Sequence, residues 1–507
     1  MSGPGRGDTS AGVDVAGGAE RPAAAADGAE RPRQSPWVAM GVILVGTYGA
    51  VLNSTTMGVA LPEVARDLTP SPLGVDVDWV ITAFLLGIVM ILPGIGWLSD
   101  RFGRKHVYVG ALLCFVVGAG VSALAPSMEV LVGARFLQGL GAGAVMPVGM
   151  ATIYELFPAD RRGSALGVWG IAVMAAPAVG PPLGGWIVTA TSWRILFLVF
   201  VVVGLGAAAL AHGVLRDNGA REHRPLDRTG WALAVVGIAM VVVGARQATS
   251  WGPTSGLTIG VVGAGFVVLA VLVRWALRRE HPIIEFRMFA YPTFAVGMGV
   301  IALVTMAQFS RLNYIPIELQ VVRGLDAQEV GLLLAPAALG AAVMMPISGW
   351  VSDRVGARPP TVVGLVVMAF SMWPLAHLTV DGSDRWVTIV LMIQGAGAGL
   401  CQIPSSVAAM NSLPSRFVSQ STAVSQLVRQ LAGALGVAVL ATLLVADLGA
   451  VAPADVDLGE AQAAYNSVFL VVFWLVVLTI VTALFLPGRR RSQQHQADRA
   501  REFIESS

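Results

Sequence analysis

Three arginines, Arg135, Arg311 and Arg429, lie inside or at the end of long apolar runs. A guanidinium in such a setting costs a few kcal/mol on membrane-insertion scales, so it faces a bundle interior or a wet cavity and finds a partner there. Two chemistries suit it: binding an anionic group, or coupling to the movement of a proton. Carboxylates that could take part are few. Glu318 lies seven residues beyond Arg311, so the two share a face if the helix continues. It is then either half of a gated ion pair whose protonation follows substrate binding, or a solvated external group beside Arg323 and Asp326. Glu155 is a further proton-coupling candidate. Asn53, Gln138, Gln308, Gln426, Arg311 and Arg429 are the polar candidates for lining a substrate cavity. Arginines outnumber intramembrane acids in this set, which favours a substrate carrying a carboxylate or another anionic group.

Other chemistries find no residues. Histidines 106, 212, 223, 281, 377 and 495 contain no i, i+4 pair, so a metal site is not expected. Lys105 is the sole lysine and lies outside any phosphate-cradling loop, so the chain does not itself hydrolyse ATP, and no ATPase subunit is implied. No cofactor loop, nucleic-acid platform or cluster of nucleophile and base appears, and the chain is not expected to be an enzyme. Cys114 and Cys401 sit in apolar runs and read as packing residues.

The elements that carry these groups are membrane helices. The chain is 55% hydrophobic and 13% charged over 507 residues, with a mean hydropathy of +0.72, too few charges to coat a soluble globule of that size. Fourteen apolar segments are long enough to span a bilayer. They run near 38–61, 77–98, 106–126, 128–151, 163–188, 193–213, 229–247, 256–278, 291–313, 327–350, 360–379, 386–409, 419–446 and 465–486. Unpaired backbone amides are costly in lipid and the runs are too long for barrel strands, so the expected fold is an all-α polytopic membrane protein.

Basic residues set the orientation. Arg101, Arg104, Lys105, Arg161, Arg162, Arg354 and Arg358 fall on one set of connections, which both tails join through Arg31, Arg33, Arg489 and Arg490. Both termini are therefore expected in the cytoplasm. Residues 1–36 read as a disordered tail rich in Gly, Ala, Arg and Pro, and 487–507 as a second cytoplasmic tail.

A charged turn occurs twice: Gly96-Trp-Leu-Ser-Asp100-Arg101-Phe-Gly103-Arg104-Lys105, and Gly349-Trp-Val-Ser-Asp353-Arg354-Val-Gly356-Ala-Arg358. Its glycines permit a tight turn, and its basic residues anchor it at lipid headgroups. The copies start at 96 and 349, which is more than six spans need. Two extra helices between related halves account for the excess, giving a six-helix bundle over 37–215, two linker helices over 216–287 and a second bundle over 288–486.

These residues resemble the major facilitator superfamily, and within it the fourteen-span drug:proton antiporters. The likeness rests on the first charged turn, on Arg135 with Gln138, Gly139 and Gly143, on Arg429-Gln430 with Gly433 and Gly436, and on a fifth span with Gly170, Pro177, Gly180, Pro181, Gly184 and Gly185 ahead of Ser192-Trp193-Arg194. The resemblance implies a multi-pass protein of a bacterial inner membrane that exports apolar or amphipathic small molecules in exchange for protons. By it, Arg135 serves in coupling, the fifth-span cluster in exchange, and the charged turns in gating. One departure matters: the family's Leu-Asp in the first span is Leu52-Asn53 here, and an amide cannot titrate. Export of an endogenous metabolite or lipid precursor with atypical coupling, or a non-transporting sensor, are the alternative expectations.

Overall fold

The computed structural model describes residues 35–68, 77, 79–216, 225–252, 254–325, 327–379, 382–414, 417–448 and 458–486. The two tails (1–34 of the first) and Asp326 lie outside these residues. Among the described residues the structure is helical, without strands.

Fourteen rods follow one another among the described residues: α1 (Pro36–Asp67), α2 (Trp79–Phe102), α3 (Arg104–Ala123), α4 (Met128–Leu156), α5 (Arg162–Ala190), α6 (Trp193–Val214), α7 (Arg228–Trp251), α8 (Gly256–Ala276), α9 (Pro292–Val321), α10 (Ala327–Val355), α11 (Arg358–Leu375), α12 (Asp384–Asn411), α13 (Val418–Leu448) and α14 (Leu458–Ala483). Twelve have the length and hydropathy to cross a membrane, and α5, bent by 42° between its two parts, makes a thirteenth. The remaining rod, α11, has 18 residues and is the counterpart of α3. A 3₁₀ turn at Leu92–Gly94 interrupts α2, where Pro93 withholds a backbone donor.

Local sequence sets the helix starts. Proline occupies the first turn of α1, α9 and α11, where its missing N–H costs nothing. Ser192, Asp227 and Ser255 cap α6, α7 and α8 by accepting a first-turn amide. Several helices run past their sequence limits, α1 and α9 among them. Helix α1 continues to Asp67, which pairs with Arg194 and accepts from Trp193 Nε1 at 3.0 Å. Helix α9 passes through Pro316 to Val321, because its polar outer turn is enclosed by the bundle and not released to a loop.

The packing repeats with a period of eight helices. In the first group α3 packs on α4 and α6, α2 on α4, and α1 on α5 and α6. In the second, α11 packs on α12 and α14, α10 on α12, and α9 on α13 and α14. Two seams join the groups, α5 against α10 and α2 against α13. Helix α7 lies over the second seam and touches both α2 and α13, with α8 behind it. Asp227 fastens this pair at its base: it accepts from Gly230 N, Trp275 Nε1 and Ile283 N at 2.9, 3.1 and 3.3 Å.

Candidate functional site

The halves are pinned together at the end that carries the charged turns. Asp353, near the end of α10, accepts hydrogen bonds from Gly163 N (2.9 Å), Ser164 N (2.8 Å) and Ser164 Oγ (2.7 Å) in the first turn of α5. The otherwise unsatisfied amides of a helix start and its positive dipole end make this a natural carboxylate seat. The helices touch backbone to backbone there. A Cβ on Gly163 would lie 2.5 Å from both Asp353 Oδ1 and the Gly349 carbonyl oxygen. Alongside, Arg162 donates to Asn411 Oδ1 at 3.0 Å, the Tyr154 hydroxyl bonds the same oxygen, and the guanidinium lies 4.1 Å over the Tyr154 ring. A recess of about 990 Å³, lined in part by Trp37, Asp160, Arg161, Trp350, Asp353 and Asn411, opens onto this latch.

The first charged turn sits at the other seam, where Gly96 faces Gln420 in the first turn of α13. Asp100 lines a small recess with Trp97, Asp227 and Gln420. The two turns match in detail. Gly103 and Gly356 have φ of 81° and 90°, a conformation that side chains with a Cβ rarely adopt. Arg101 lies 5.7 Å over Trp97 and Arg354 lies 3.7 Å over Trp350, each four residues back on its own helix. Arg104 pairs with Glu155 and donates to the Ala151 carbonyl at 3.0 Å, so Glu155 braces α3 against α4; Lys105 is half-buried in the same rim.

No comparable pins join the halves at the opposite end among the hydrogen bonds and ion pairs described. There the ties stay within each half. Arg194 joins Asp67 and the Ala125 carbonyl, while Arg323 joins the Gly382 carbonyl (2.7 Å) and Asp384 (3.2 Å). Helix α5 shows the change along its length. Gly163, Gly167 and Gly170 lie against α10, whereas Gly180, Gly184 and Gly185 lie against Thr55, Thr56 and Val59 of α1. The 42° bend falls between these stretches, at the segment from Pro177 to Pro182 that includes Pro181. Thr55 Oγ1 reaches the Ala176 carbonyl oxygen at 3.3 Å.

Arg135 lies inside the first half, 1% exposed. Its acceptors are Asn53 Oδ1 (2.8 Å), Gln138 Oε1 (2.6 Å) and the Val80 carbonyl (3.2 Å), and its guanidinium stands 4.3 Å over Phe84 and 5.7 Å from Phe197. Sequence reading placed Arg135 and Gln138 in one motif and singled out Asn53 separately, and the fold brings all three into one cluster.

The second half is arranged differently. Arg429 donates to Ser406 Oγ at 2.9 Å, and Gln426 reaches across the seam to Met146 Sδ at 3.7 Å. Arg311 has Nε and Nη1 buried without a hydrogen-bond partner, with Gln308 half-buried one turn away. Glu318 corrects the sequence-based expectation in both its forms. It is neither solvated nor paired with Arg311: it is fully buried, and its ion-pair partner is Arg323, with Nε 3.6 Å from Oε1.

Sequence reading missed Gly163, Ser164, Tyr154 and Asn411, whose residue types are unremarkable. It also missed a second internal repeat, Gln138-Gly-Leu-Gly-Ala-Gly143 and Gln394-Gly-Ala-Gly-Ala-Gly399. Gly139 and Gly395 sit equivalently, against the backbones of Phe84 in α2 and Ala337 in α10.

Comparison with known proteins agrees with this architecture. Residues 43–437 match the Major Facilitator Superfamily model. The chain is 32% identical over 418 residues to the uncharacterized MFS-type transporter YhcA of Bacillus subtilis, covering 82% of this chain and 78% of that one. It is 29% identical over 400 residues to the multidrug export protein EmrB of Haemophilus influenzae, covering 77% of each. The proton:xylose symporter XylE superposes with a TM-score of 0.60 at 14% identity, covering 89% of this chain and 96% of that one, a likeness of fold alone. With its two six-helix groups and paired charged turns, the chain belongs to the major facilitator superfamily.

Proposed function

We propose that the protein is a secondary active exporter of apolar or amphipathic small molecules, working by alternating access in exchange for protons from a bacterial inner membrane. The carrying observation is the seam, which is pinned at the end of the charged turns, whereas none of the hydrogen bonds and ion pairs described joins the halves at the other. With the arginine-rich end in the cytoplasm and both termini there, this is the outward-facing arrangement. The halves are 37–215 and 288–486, with 216–287 as a linker pair between them.

In this reading the Asp353 seat on α5, Gly349 against Gly163, and the first turn from Gly96 to Lys105 form the inner gate. Releasing Asp353 from the α5 amides lets α5 and α10 separate and opens the cavity inward. Gly180, Gly184 and Gly185 keep the outer half of α5 on α1 while its inner half moves. The name of EmrB, a multidrug export protein, supports a drug-like substrate.

The test is accumulation of a panel comprising ethidium, tetracycline, nalidixic acid and a lipophilic cation in cells with and without the protein. Lower accumulation of at least one compound, abolished by a protonophore, is expected. Equal accumulation of all four, or exclusion that survives the protonophore, defeats the exchange reading.

A further inference from the structure

We propose that the α7–α8 pair carries a binding site for an anionic phospholipid, with the headgroup on the arginines around the end of α8 and an acyl chain laid along that helix. The site stands whether or not the chain exchanges protons.

Principle and contacts together gather the cations at one place. Asp227, at the start of α7, accepts from Trp275 Nε1 and Ile283 N at 3.1 and 3.3 Å, so the turn after α8 folds back against the base of α7. Arg279 lies 4.2 Å over the Trp275 ring. Arg287 Nη2 donates to the Arg279 carbonyl oxygen at 3.1 Å, which brings a second arginine onto the same turn. Arg228 follows Asp227 directly, and Arg274 and Arg278 stand on either side of Trp275 in sequence. All five are exposed. Among the described residues Arg228, Arg274, Arg278 and Arg279 form no ion pair, and Arg287 reaches only Glu285, at 3.8 Å. The acids of this end gather elsewhere. Asp100, Asp227, Glu280 and Glu285 line the small recess beside Gln420, which none of the five arginines lines. The arginine face is left as a set of cations without counter-charges, each worth about five-fold in affinity at an anionic membrane surface.

A soluble anion would need only the cations, but this site has a second part. Helix α8 packs on α7 and is the least buried of the candidate spans. Val267, Val271 and Arg274 follow at spacings of four and three and share one face; Leu277 keeps a helical backbone, so Arg278 falls on that face one turn on. Both valines are exposed. A bare apolar strip therefore runs straight from the cations toward the middle of the span. From Arg274 to Val267 it rises about 10 Å, within the ~15 Å of one hydrocarbon leaflet. Leu277, Phe289 and Tyr291, also exposed, add the apolar and aromatic groups that settle at headgroup depth. Charge and strip in line match a phospholipid, charged at one end and apolar along its length. Because Asp227 ties this turn to the base of α7, which lies across the α2–α13 seam, a lipid bound here braces the linker on that flank.

The test is native mass spectrometry of the full-length protein in neutral detergent, titrated with phosphatidylglycerol and with phosphatidylcholine of the same acyl chains. Phosphatidylglycerol should bind about ten-fold tighter or more. Arg274→Gln and Arg278→Gln should each weaken it about five-fold, and the pair about 25-fold, while Arg278→Lys keeps most of the affinity. Val271→Asn should weaken it by interrupting the strip. Arg161→Gln, which removes an exposed arginine at the other seam, should leave it unchanged. Glycerol 1-phosphate in excess should not displace the lipid. Unaltered unfolding midpoints of the lipid-free variants would show that each is folded. Equal affinity for the two lipids, displacement by glycerol 1-phosphate, an equal fall in Arg161→Gln, or undiminished binding by the paired arginine variant or by Val271→Asn overturns the proposal. None of these readings involves a transported compound, so failure of the export reading leaves them untouched.

Discussion

A buried guanidinium whose described hydrogen-bond acceptors are all neutral is unusual, and Arg135 is one. Its charge rests on two side-chain amides, a carbonyl and the faces of two rings. Removing an acceptor from a buried charge costs about 1–3 kcal/mol or more. Asn53→Leu should therefore lower the unfolding midpoint in detergent by several degrees, read by tryptophan fluorescence, whereas Asn53→Asp supplies a counter-charge in place and should raise it. A fall with Asn53→Asp would mean that Arg135 is neutralised by something other than these contacts. Asn53, Arg135 and Gln138 were legible as polar residues in apolar runs. That the first two meet across 82 positions was not, because contact between separate helices leaves no local pattern. Glu318 was misplaced for a related reason: a polar turn at a helix end looks alike in sequence whether water or a bundle encloses it.

Among the helices, α5 carries the most information, since its inner turns belong to one half of the molecule by packing and its outer turns to the other. The Asp353 seat on its first turn contributes about 1–2 kcal/mol to the closed seam, roughly a ten-fold shift in the ratio of closed to open. Asp353→Asn should expose a cysteine placed at Ser164, in a background lacking Cys114 and Cys401, to a thiol reagent about ten times faster than in the parent. Gly163→Val should do so more strongly, because the added side chain cannot fit against Gly349 and Asp353 at the present spacing. Unchanged reactivity in both would show that the seam is held elsewhere. The second charged turn was legible as a repeat of the first. Its partner was not, because Gly163 and Ser164 are ordinary residues whose backbone amides, not side-chain types, make most of the seat.

Over the whole molecule, the all-helical membrane fold was readable from apolar run lengths, and of the fourteen expected spans twelve helices, or thirteen counting the bent α5, have the length and hydropathy to cross a membrane among the described residues. Lipid forces that legibility, since each span must satisfy its own backbone. Orientation gives the matching prediction: cysteines replacing Arg101 or Arg354 should react with a membrane-impermeant maleimide only after cells are permeabilised. Labelling in intact cells would reverse the assignment of inside and outside.

Helix α7 gives the motion a preferred side. Trp231 Nε1 donates to the Met90 carbonyl of α2 at 3.0 Å, and the same helix lies along α13 of the other half. One flank is thus strapped, while among the described residues the α5–α10 flank has no such cover. On the alternating-access reading proposed above, turning of one half on the other would pivot near the strapped edge, as covers turn about the spine of a book, and the far edge would gape wider. A bulky or branched solute would then pass by that wider edge, and α7 and α8 would bear on the size of cargo from the opposite flank.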